Sequence, residues 1–494
     1  MIVLNSSSGA DLPEPARLLS HWSTSDPSRP AVLDGANVVS YGDLHARVTM
    51  LADWLREQDV GPGRQLALVL PNSLGFIMWF FAGLEAGAVV ATLDPALKPD
   101  ERERMLRSGK IDFVAMAGNG EDSDHWLVSG VWAAPEPVTL STRRAPPSKT
   151  LLPEGTVLHR FSSGSTGQPK HVLYSAENLR EDYRHLCAAL PLGEKDVFLG
   201  VTPFFHAFGG LGLMAAFAVG AVTIPLQRFM PADVLRTMAD CRPTVFFATP
   251  PMVEMLGRCH VSEQHSAALN ALTTCICATG RLSVRARDLF RQRFGLEPYV
   301  LYGSSETLSA TLTGGENFIE GCVGRPMPGV EIAIFDDNNA TLAPLAPGRV
   351  GVRGGTCIDG YGFGGPALNL IDGYLLPGDR GYLDESGRLY ILGRDDVINI
   401  GGYKVDRYEV EAVIRDLAAV EFVHVTEYDR AGQPALRAII ESTDPALSSA
   451  LVIDHCRAAL APYKVPGRVD IVGSLPRDAN GKVRLADLNA GDPA

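Results

Sequence analysis

None of the eight cysteines in this 494-residue sequence sits at the C-x2-C spacing of a zinc knuckle or a dithiol redox motif. They stand singly as Cys187, Cys241, Cys259, Cys275, Cys277, Cys322, Cys357 and Cys456. That argues against a structural zinc site and a thioredoxin-type centre, and leaves reduced core thiols in a reducing compartment as the expectation. Positive charge is also short, with 44 Lys and Arg against 57 Asp and Glu for a net charge of −13. Such a balance argues against nucleic acid or an anionic membrane as the main partner, while leaving room for a local basic pocket that takes a small anion. The opening MIVLNSSSGADLPEP lacks the basic and apolar regions of a signal peptide, so a cytoplasmic protein is expected. One stretch approaches the length of a membrane span, Leu74 to Leu93, but it carries Glu85 and three glycines. A carboxylate in mid-span costs about 2.5–3.5 kcal/mol on insertion scales. Gly87 followed by AVVATL therefore reads as a buried helix ending into a strand, with no membrane span.

What is present is an ordinary globular composition, 46% hydrophobic and 20% charged, in a chain long enough for about three units or one large composite domain and a small one. From Gln65, a strand-like QLALVL, a turn, an apolar helix and a second apolar run make a β-α-β unit. The same alternation returns with VFLGV, TVFFATP and YVLYG as short buried strands, separated by helical stretches such as ADVLRTMADC. Beyond about Pro328 the texture shifts to short strands and turns. After Asp395-Asp396, helical VDRYEVEAVIRDL and ALVIDHCRAAL alternate with strand-like VEFVHVTEYD, LRAIIEST and RVDIVG. The expected architecture is a large multi-subdomain α/β domain, 1–394, followed by a small α+β domain, 395–494.

Two glycine-rich stretches need separating. Gly360-Tyr-Gly362-Phe-Gly364-Gly365 matches the G-x-G-x-x-G dinucleotide fingerprint, but Pro366 follows at once and no helix has room to start before Asp372-Gly373. Without a helix N-terminus to face a pyrophosphate it reads as a glycine-rich surface loop. Phe161-Ser162-Ser163-Gly164-Ser165-Thr166-Gly167-Gln-Pro169-Lys170 differs in kind, because glycines, hydroxyls and a lysine converge within ten residues. Backbone N–H groups, side-chain hydroxyls and one cation suit a phosphate. It is not a Walker A loop, since the Gly-Lys-Ser/Thr ending is missing. A helix should follow, with Ser175 as N-cap and Leu179, Tyr183, Leu186 and Leu190 as its apolar stripe.

With these segments in view, the chain resembles the adenylate-forming superfamily of acyl- and aryl-CoA synthetases, adenylation domains and luciferases. FSSGSTGQPKHV is similar to that family's phosphate loop, PFFHAFGG (203–210) to its acyl-pocket motif and YGSSET (302–307) to its Tyr-Gly-x-Thr-Glu motif. GDRGYLDESGRLYILGR (378–394) resembles the ribose motif, INIGGYKVDRYEVE (398–411) the opening of the small domain and LPRDANGKVR (475–484) the C-terminal lysine motif. Six collinear matches span most of the chain.

The resemblance implies that a carboxylic acid is activated by ATP to an acyl-adenylate and then passed to a thiol. The acceptor would be CoA, giving an acyl- or aryl-CoA thioester, or alternatively the phosphopantetheine of a carrier protein. Bringing a carboxylate to an α-phosphate sets two anions against each other, which calls for Mg²⁺, hydrogen-bond donors and a cation. By resemblance Ser162, Ser163, Gly164, Ser165, Thr166, Gly167 and Lys170 cradle phosphate, and Glu306 helps hold Mg²⁺. Ser305 bonds the α-phosphate beside Tyr302 and Gly303, and Gly280 lies in the adenine stretch. Asp379 accepts the ribose hydroxyls and Arg394 touches the same nucleotide edge. Lys482 bridges the substrate carboxylate and the α-phosphate. Phe205, His206, Phe208 and Gly209 belong to the acyl pocket, with Met252 in its apolar wall. Gly401 and Gly402 border a pantetheine channel, and the small domain turns about Asp395.

Some positions depart from the family's pattern. His171 stands where glycine is usual after the lysine; Ala278-Thr-Gly280-Arg281 and Gly393-Arg394-Asp395-Asp396 are each one residue short. Counting from the downstream glycines, Asp395 is a better pivot than Asp396. No aspartate stands in the acyl motif to pair a substrate ammonium, which points to an acid without an α-amine. For His206, a satisfied core imidazole and a gate on the acyl pocket weigh equally. A GTPase or kinase reading lacks its loops, and a non-catalytic relative would be expected to lose Glu306 or Lys482.

Overall fold

The computed structural model describes residues 12–118, 122–144, 152–163, 169–259, 269–314, 318–394, 397–400, 403–430, 433–460, 462–477 and 483–484. The chain divides into two compact units, the first 1–333 with 351–377 and 383–390, the second 334–350 with 378–382 and 391–494.

The first unit holds two sets of parallel strands, each continued by antiparallel ones. In one, Phe113–Ala117, Gln65–Val69, Val89–Thr92 and Thr156–Ser163 run parallel in that order, closed at one edge by antiparallel Pro169–Ser175. The apolar run after Gln65 forms the expected β-α-β unit. Helix Leu74–Glu85 is buried along nearly its whole length, as a helix packed on all sides must be, and Ser73 caps it by accepting from Phe76 N at 3.0 Å. Such a cap contributes about 1 kcal/mol. Gly87, at φ +83°, turns the chain into strand Val89–Thr92. Among the described residues no helix is long and apolar enough to cross a membrane.

In the second sheet Val222–Pro225, Val197–Gly200, Val245–Ala248, Thr274–Cys277 and Tyr299–Ser304 lie parallel side by side. Their continuous apolar composition reflects burial on both faces. Leu199, Phe246, Met252, Leu256, Cys275, Phe290 and Val300 share one core here. All eight cysteines are unpaired, and five of them are buried, as the sequence led one to expect of reduced core thiols. The last parallel strand turns back through Ser304–Thr307 into antiparallel Leu308–Leu312.

The second unit carries its own core. Strands Phe422–Arg430 and Gln433–Glu441 pair antiparallel, and Arg468–Val472 joins the latter in parallel. Helices Arg407–Arg415 and Ser449–Ala459 pack onto them through Val410, Ile414, Val452 and Cys456. This is the α+β texture expected of the last hundred residues.

Candidate active site

The phosphate-type loop is a hairpin between two strands. Thr156–Ser163 and Pro169–Ser175 pair with Ser162 opposite Lys170 and Ser163 opposite Pro169. Gly164, Ser165, Thr166 and Gly167 at its tip lie outside the described residues, as do Asp395, Asp396, Gly401, Gly402 and Lys482. Ser162, Ser163 and Arg394 are described in their backbone only. The helix after the hairpin, Ala176–Ala189, begins as expected. Ser175 Oγ accepts from Asn178 N at 3.1 Å, the Asn178 side chain accepts from Ser175 N at 3.0 Å, and Leu179, Tyr183 and Leu186 are fully buried.

Lys170 and Tyr174 are four residues apart on one strand, so they share a face. Both reach the Tyr302–Thr307 turn. Tyr174 donates to the Ser305 carbonyl at 2.7 Å, and Lys170 Nζ lies 3.9 Å from Glu306 Oε1. The turn itself is locked from inside. Ser304 Oγ accepts from the amides of Glu306 and Thr307 at 3.1 and 3.2 Å, and Ser304 N donates to Thr307 Oγ1 at 3.0 Å. Gly303 stands where a Cβ would meet the Leu308 carbonyl oxygen at 1.8 Å, so only glycine lets the hairpin close.

A third segment joins them, and it is the glycine-rich stretch read from sequence as a surface loop. Tyr361 forms an antiparallel bridge with Val172, and Gly362 N donates to the His171 carbonyl at 2.8 Å. Ile358 N donates to the Glu306 carbonyl at 2.9 Å. Tyr361 donates its hydroxyl proton to Glu306 Oε1 at 2.6 Å and accepts from Lys170 Nζ at 3.3 Å. The surface-loop reading is therefore wrong for Gly360–Gly362, which is built into the site. No helix follows it, so the dinucleotide reading stays excluded.

Sequence reasoning also missed the polar groups behind this face. Arg160 is buried, with its guanidinium carbon 5.5 Å from the Tyr174 ring centre, and its Nε and Nη1 have no hydrogen-bond partner among the described residues. Burial lowers its basicity, with Tyr174 and Asp182 working against that, and burial raises the Tyr174 phenol far above its usual range. Asp182 accepts from Ser309 N at 3.0 Å; burial pushes its carboxyl up to about 6. On the opposite face of the Lys170 strand, His171 is held by His159, which in turn contacts Gln65. Burial pushes His171 down to about 4 and His159 lower than its ordinary value as well.

The acyl motif forms the start of helix Ala207–Ala218. His206 is its N-cap, Nδ1 accepting from Phe208 N at 3.4 Å, which gives the imidazole a structural partner. Phe208 is buried against Phe247 with ring centres 5.2 Å apart. A Cβ on Gly209 would lie 2.1 Å from the Pro203 carbonyl oxygen. The void beside Gly209, lined also by Phe198, Thr202, Phe204 and Phe247, is about 10 Å³. That is room for about one water, so an acid would lie outside this void. Met252 is buried in the core of the second sheet. Gly280 follows Thr279, and Arg281 pairs with Glu320 at 3.2 Å. Asp379 opens strand Asp379–Leu383 and itself belongs to the second unit.

Among the described residues no group of three or more His, Cys, Asp or Glu could cage a metal. Glu306 offers one hard carboxylate oxygen beside a phosphate-type loop, the donor set that suits Mg²⁺ arriving with a nucleotide's phosphates.

Known proteins resemble the chain over most of its length. Residues 19–362 match the family described as AMP-binding enzyme. The chain is 28% identical to a probable CoA ligase, CCL9, of Humulus lupulus, over 92% of each chain. It is 27% identical to the medium-chain fatty-acid–CoA ligase of Escherichia coli K12, over 95% of this chain and 89% of that one. ATP-bound MatB from Rhodopseudomonas palustris superposes with a TM-score of 0.82 at 22% identity, over 96% of this chain and 98% of that one, a likeness of fold. The chain belongs to the AMP-binding enzyme family, within the adenylate-forming superfamily, and is an AMP-forming acid–thiol ligase.

Proposed function

We propose that the chain makes a CoA thioester of a carboxylic acid that lacks an α-amine. A carboxylate oxygen attacks the α-phosphorus of ATP, a P–O bond forms, the bond to the β-phosphate breaks and pyrophosphate leaves. The CoA thiol then attacks the acyl carbon; the C–O bond to AMP breaks and the thiol proton is lost. The observation that carries this reading is the convergence of Lys170 and Glu306, from motifs distant in sequence, to 3.9 Å.

In this reading the loop 162–167 and Lys170 hold the phosphates, Ser305 bonds the α-phosphate, and Tyr302, Gly303 and Gly280 border the base. Glu306 would hold Mg²⁺, which when bound neutralises charge on the phosphates. Asp379 and Arg394 take the ribose side, and Lys482 bridges the reacting carboxylate and phosphate. The boundary at 394/395 is the hinge, with Asp395 as pivot, and Gly401-Gly402 border the pantetheine. Phe205, His206, Phe208 and Gly209 approach the acid. CoA is favoured over a carrier protein because the relatives are named as CoA ligases, and both ATP and CoA are cytoplasmic substrates. The test is acid-dependent exchange of labelled pyrophosphate into ATP across fatty, aryl, dicarboxylic and amino acids, each then offered CoA and a phosphopantetheinylated carrier. Exchange driven by amino acids alone, or transfer to the carrier alone, rejects it.

A further inference from the structure

The segment 358–362 is tied at one end to Glu306 and at the other to the strand of Lys170, through Ile358 N to the Glu306 carbonyl at 2.9 Å and Gly362 N to the His171 carbonyl at 2.8 Å. Between these ties Tyr361 places its hydroxyl in the gap between carboxylate and ammonium, 2.6 Å from Glu306 Oε1 and 3.3 Å from Lys170 Nζ. The Lys170 ammonium also rests 5.1 Å from the Tyr361 ring centre, a cation–π distance.

This geometry has a consequence for two charges that the proposed chemistry needs elsewhere. At 3.9 Å the lysine and the carboxylate are just short of a close ion pair. Left alone, side chains of this length would close to a charge-assisted contact near 2.8 Å and occupy one another. A phenol between them blocks that collapse without adding charge. By donating to Oε1 it fixes the carboxylate plane and satisfies one oxygen, while Oε2 takes no hydrogen bond among the described residues. The backbone ties make the phenol's position independent of either side chain.

We infer that Tyr361 is a positioning residue of the adenylation site, its hydroxyl keeping Glu306 presented to Mg²⁺ and Lys170 to phosphate. This rests on the proposed reading of Glu306 as the metal-side carboxylate. It also gives Gly362 a purpose that a nucleotide fingerprint does not, since a Cβ there would lie 2.9 Å from Leu173 Cδ1 on the Lys170 strand.

The experiment is calorimetric titration of the full chain with ATP at a series of Mg²⁺ concentrations, for wild type, Tyr361→Phe, Glu306→Gln, Lys170→Met and the Tyr361→Phe/Lys170→Met pair. Thermal midpoints serve as the folding control. Tyr361→Phe should keep the wild-type midpoint, because the ring stays, and should raise the Mg²⁺ needed for half-maximal ATP binding by about tenfold, the scale of one hydrogen bond to a charged group. In the Lys170→Met background the same change should have a much smaller effect, because no ammonium is left to collapse onto the carboxylate. A shifted Mg²⁺ dependence for Glu306→Gln with a wild-type dependence for Tyr361→Phe overturns the role of Tyr361 alone. An unshifted Glu306→Gln overturns the reading of Glu306 on which it rests. An undiminished effect of Tyr361→Phe without the lysine overturns the part assigned to spacing the two charges.

Discussion

His171 Nδ1 lies 3.1 Å from His159 Nε2, and His159 Nδ1 lies 2.9 Å from Gln65 Oε1. Gln65 spends its amide hydrogens on the carbonyls of Gly109 and Lys110, so its oxygen faces His159 as an acceptor. The His159 proton is then on Nδ1, and His171 must donate from its own Nδ1. His159 must stay neutral for its Nε2 to accept, and burial disfavours the charged form of both imidazoles. The histidine that replaces the family's usual glycine thus ties the strand of Lys170 to its sheet.

Stability should record that neutrality. An imidazole held below its ordinary 6.5, as His171 is at about 4, binds its proton more readily in the unfolded chain. Its contribution is complete above pH 6.5 and is lost as pH falls from there toward about 4, with His159 acting in the same sense. The slope is roughly 1.4 kcal/mol per pH unit per histidine at most. Asp182 opposes it, because a carboxyl raised from 3.8 to about 6 favours the folded state as pH falls through that interval. The His159→Gln/His171→Asn variant leaves Asp182 in place and removes both imidazoles. Between pH 7 and pH 5 the wild-type melting temperature should therefore fall more steeply than that of the variant. Parallel curves would show that the pair does not titrate in this way.

Glycines of the site separate into two kinds. A Cβ at Gly303 would lie 1.8 Å from the Leu308 carbonyl oxygen, and that backbone is itself part of a paired strand. Gly303→Ala should cost about 3 kcal/mol or more, visible as an earlier denaturant midpoint. At Gly280 the nearest atom to a new Cβ is Pro250 Cγ at 3.6 Å, ordinary contact. Gly280→Ala should leave the midpoint within about 0.5 kcal/mol of wild type, so any loss of ATP affinity there reports nucleotide contact.

Lys482→Ala should abolish acid-dependent pyrophosphate exchange while leaving CoA transfer from supplied acyl-adenylate largely intact. In the proposed mechanism the lysine's charge is needed while the α-phosphate is attacked and not afterwards. Equal losses in both half-reactions would refute that division.

The motifs were legible because each packs its chemistry into a few consecutive residues: hydroxyls and glycines with Lys170, or Glu306 beside Tyr302-Gly303. The β-α-β order was legible from period and from punctuation such as Ser73 and Gly87. Tyr361 was not, because its place depends on a bridge to Val172, and register between segments so distant in sequence leaves no local trace. Arg160 and His159 were hidden for a related reason, since a buried strand reads as apolar and its polar members look like exceptions until their partners are known. Tyr174 could have been found: four residues beyond Lys170 on a strand is the same face.

The proposed alternation of the small domain makes the sharpest demand on one residue. If adenylation and thioester formation use different faces of that domain, the pivot has to change its backbone angles between the two half-reactions. Proline fixes φ near −65° and removes an N–H donor, so it should arrest such a change without removing charge from any other residue. Asp395→Pro is expected to slow one half-reaction at least tenfold more than the other, with thioester formation the one lost if the chain is held where Lys482 meets the nucleotide. Asp396→Pro, one residue along, should disturb the ratio less, which makes it the control for local damage. Pyrophosphate exchange and CoA transfer from supplied adenylate, measured separately on both variants, decide the matter. A larger imbalance in Asp396→Pro moves the pivot by one residue. Parallel loss of both activities in both variants means the linker was merely disrupted, and an unchanged ratio in both removes rotation about this linker from the mechanism.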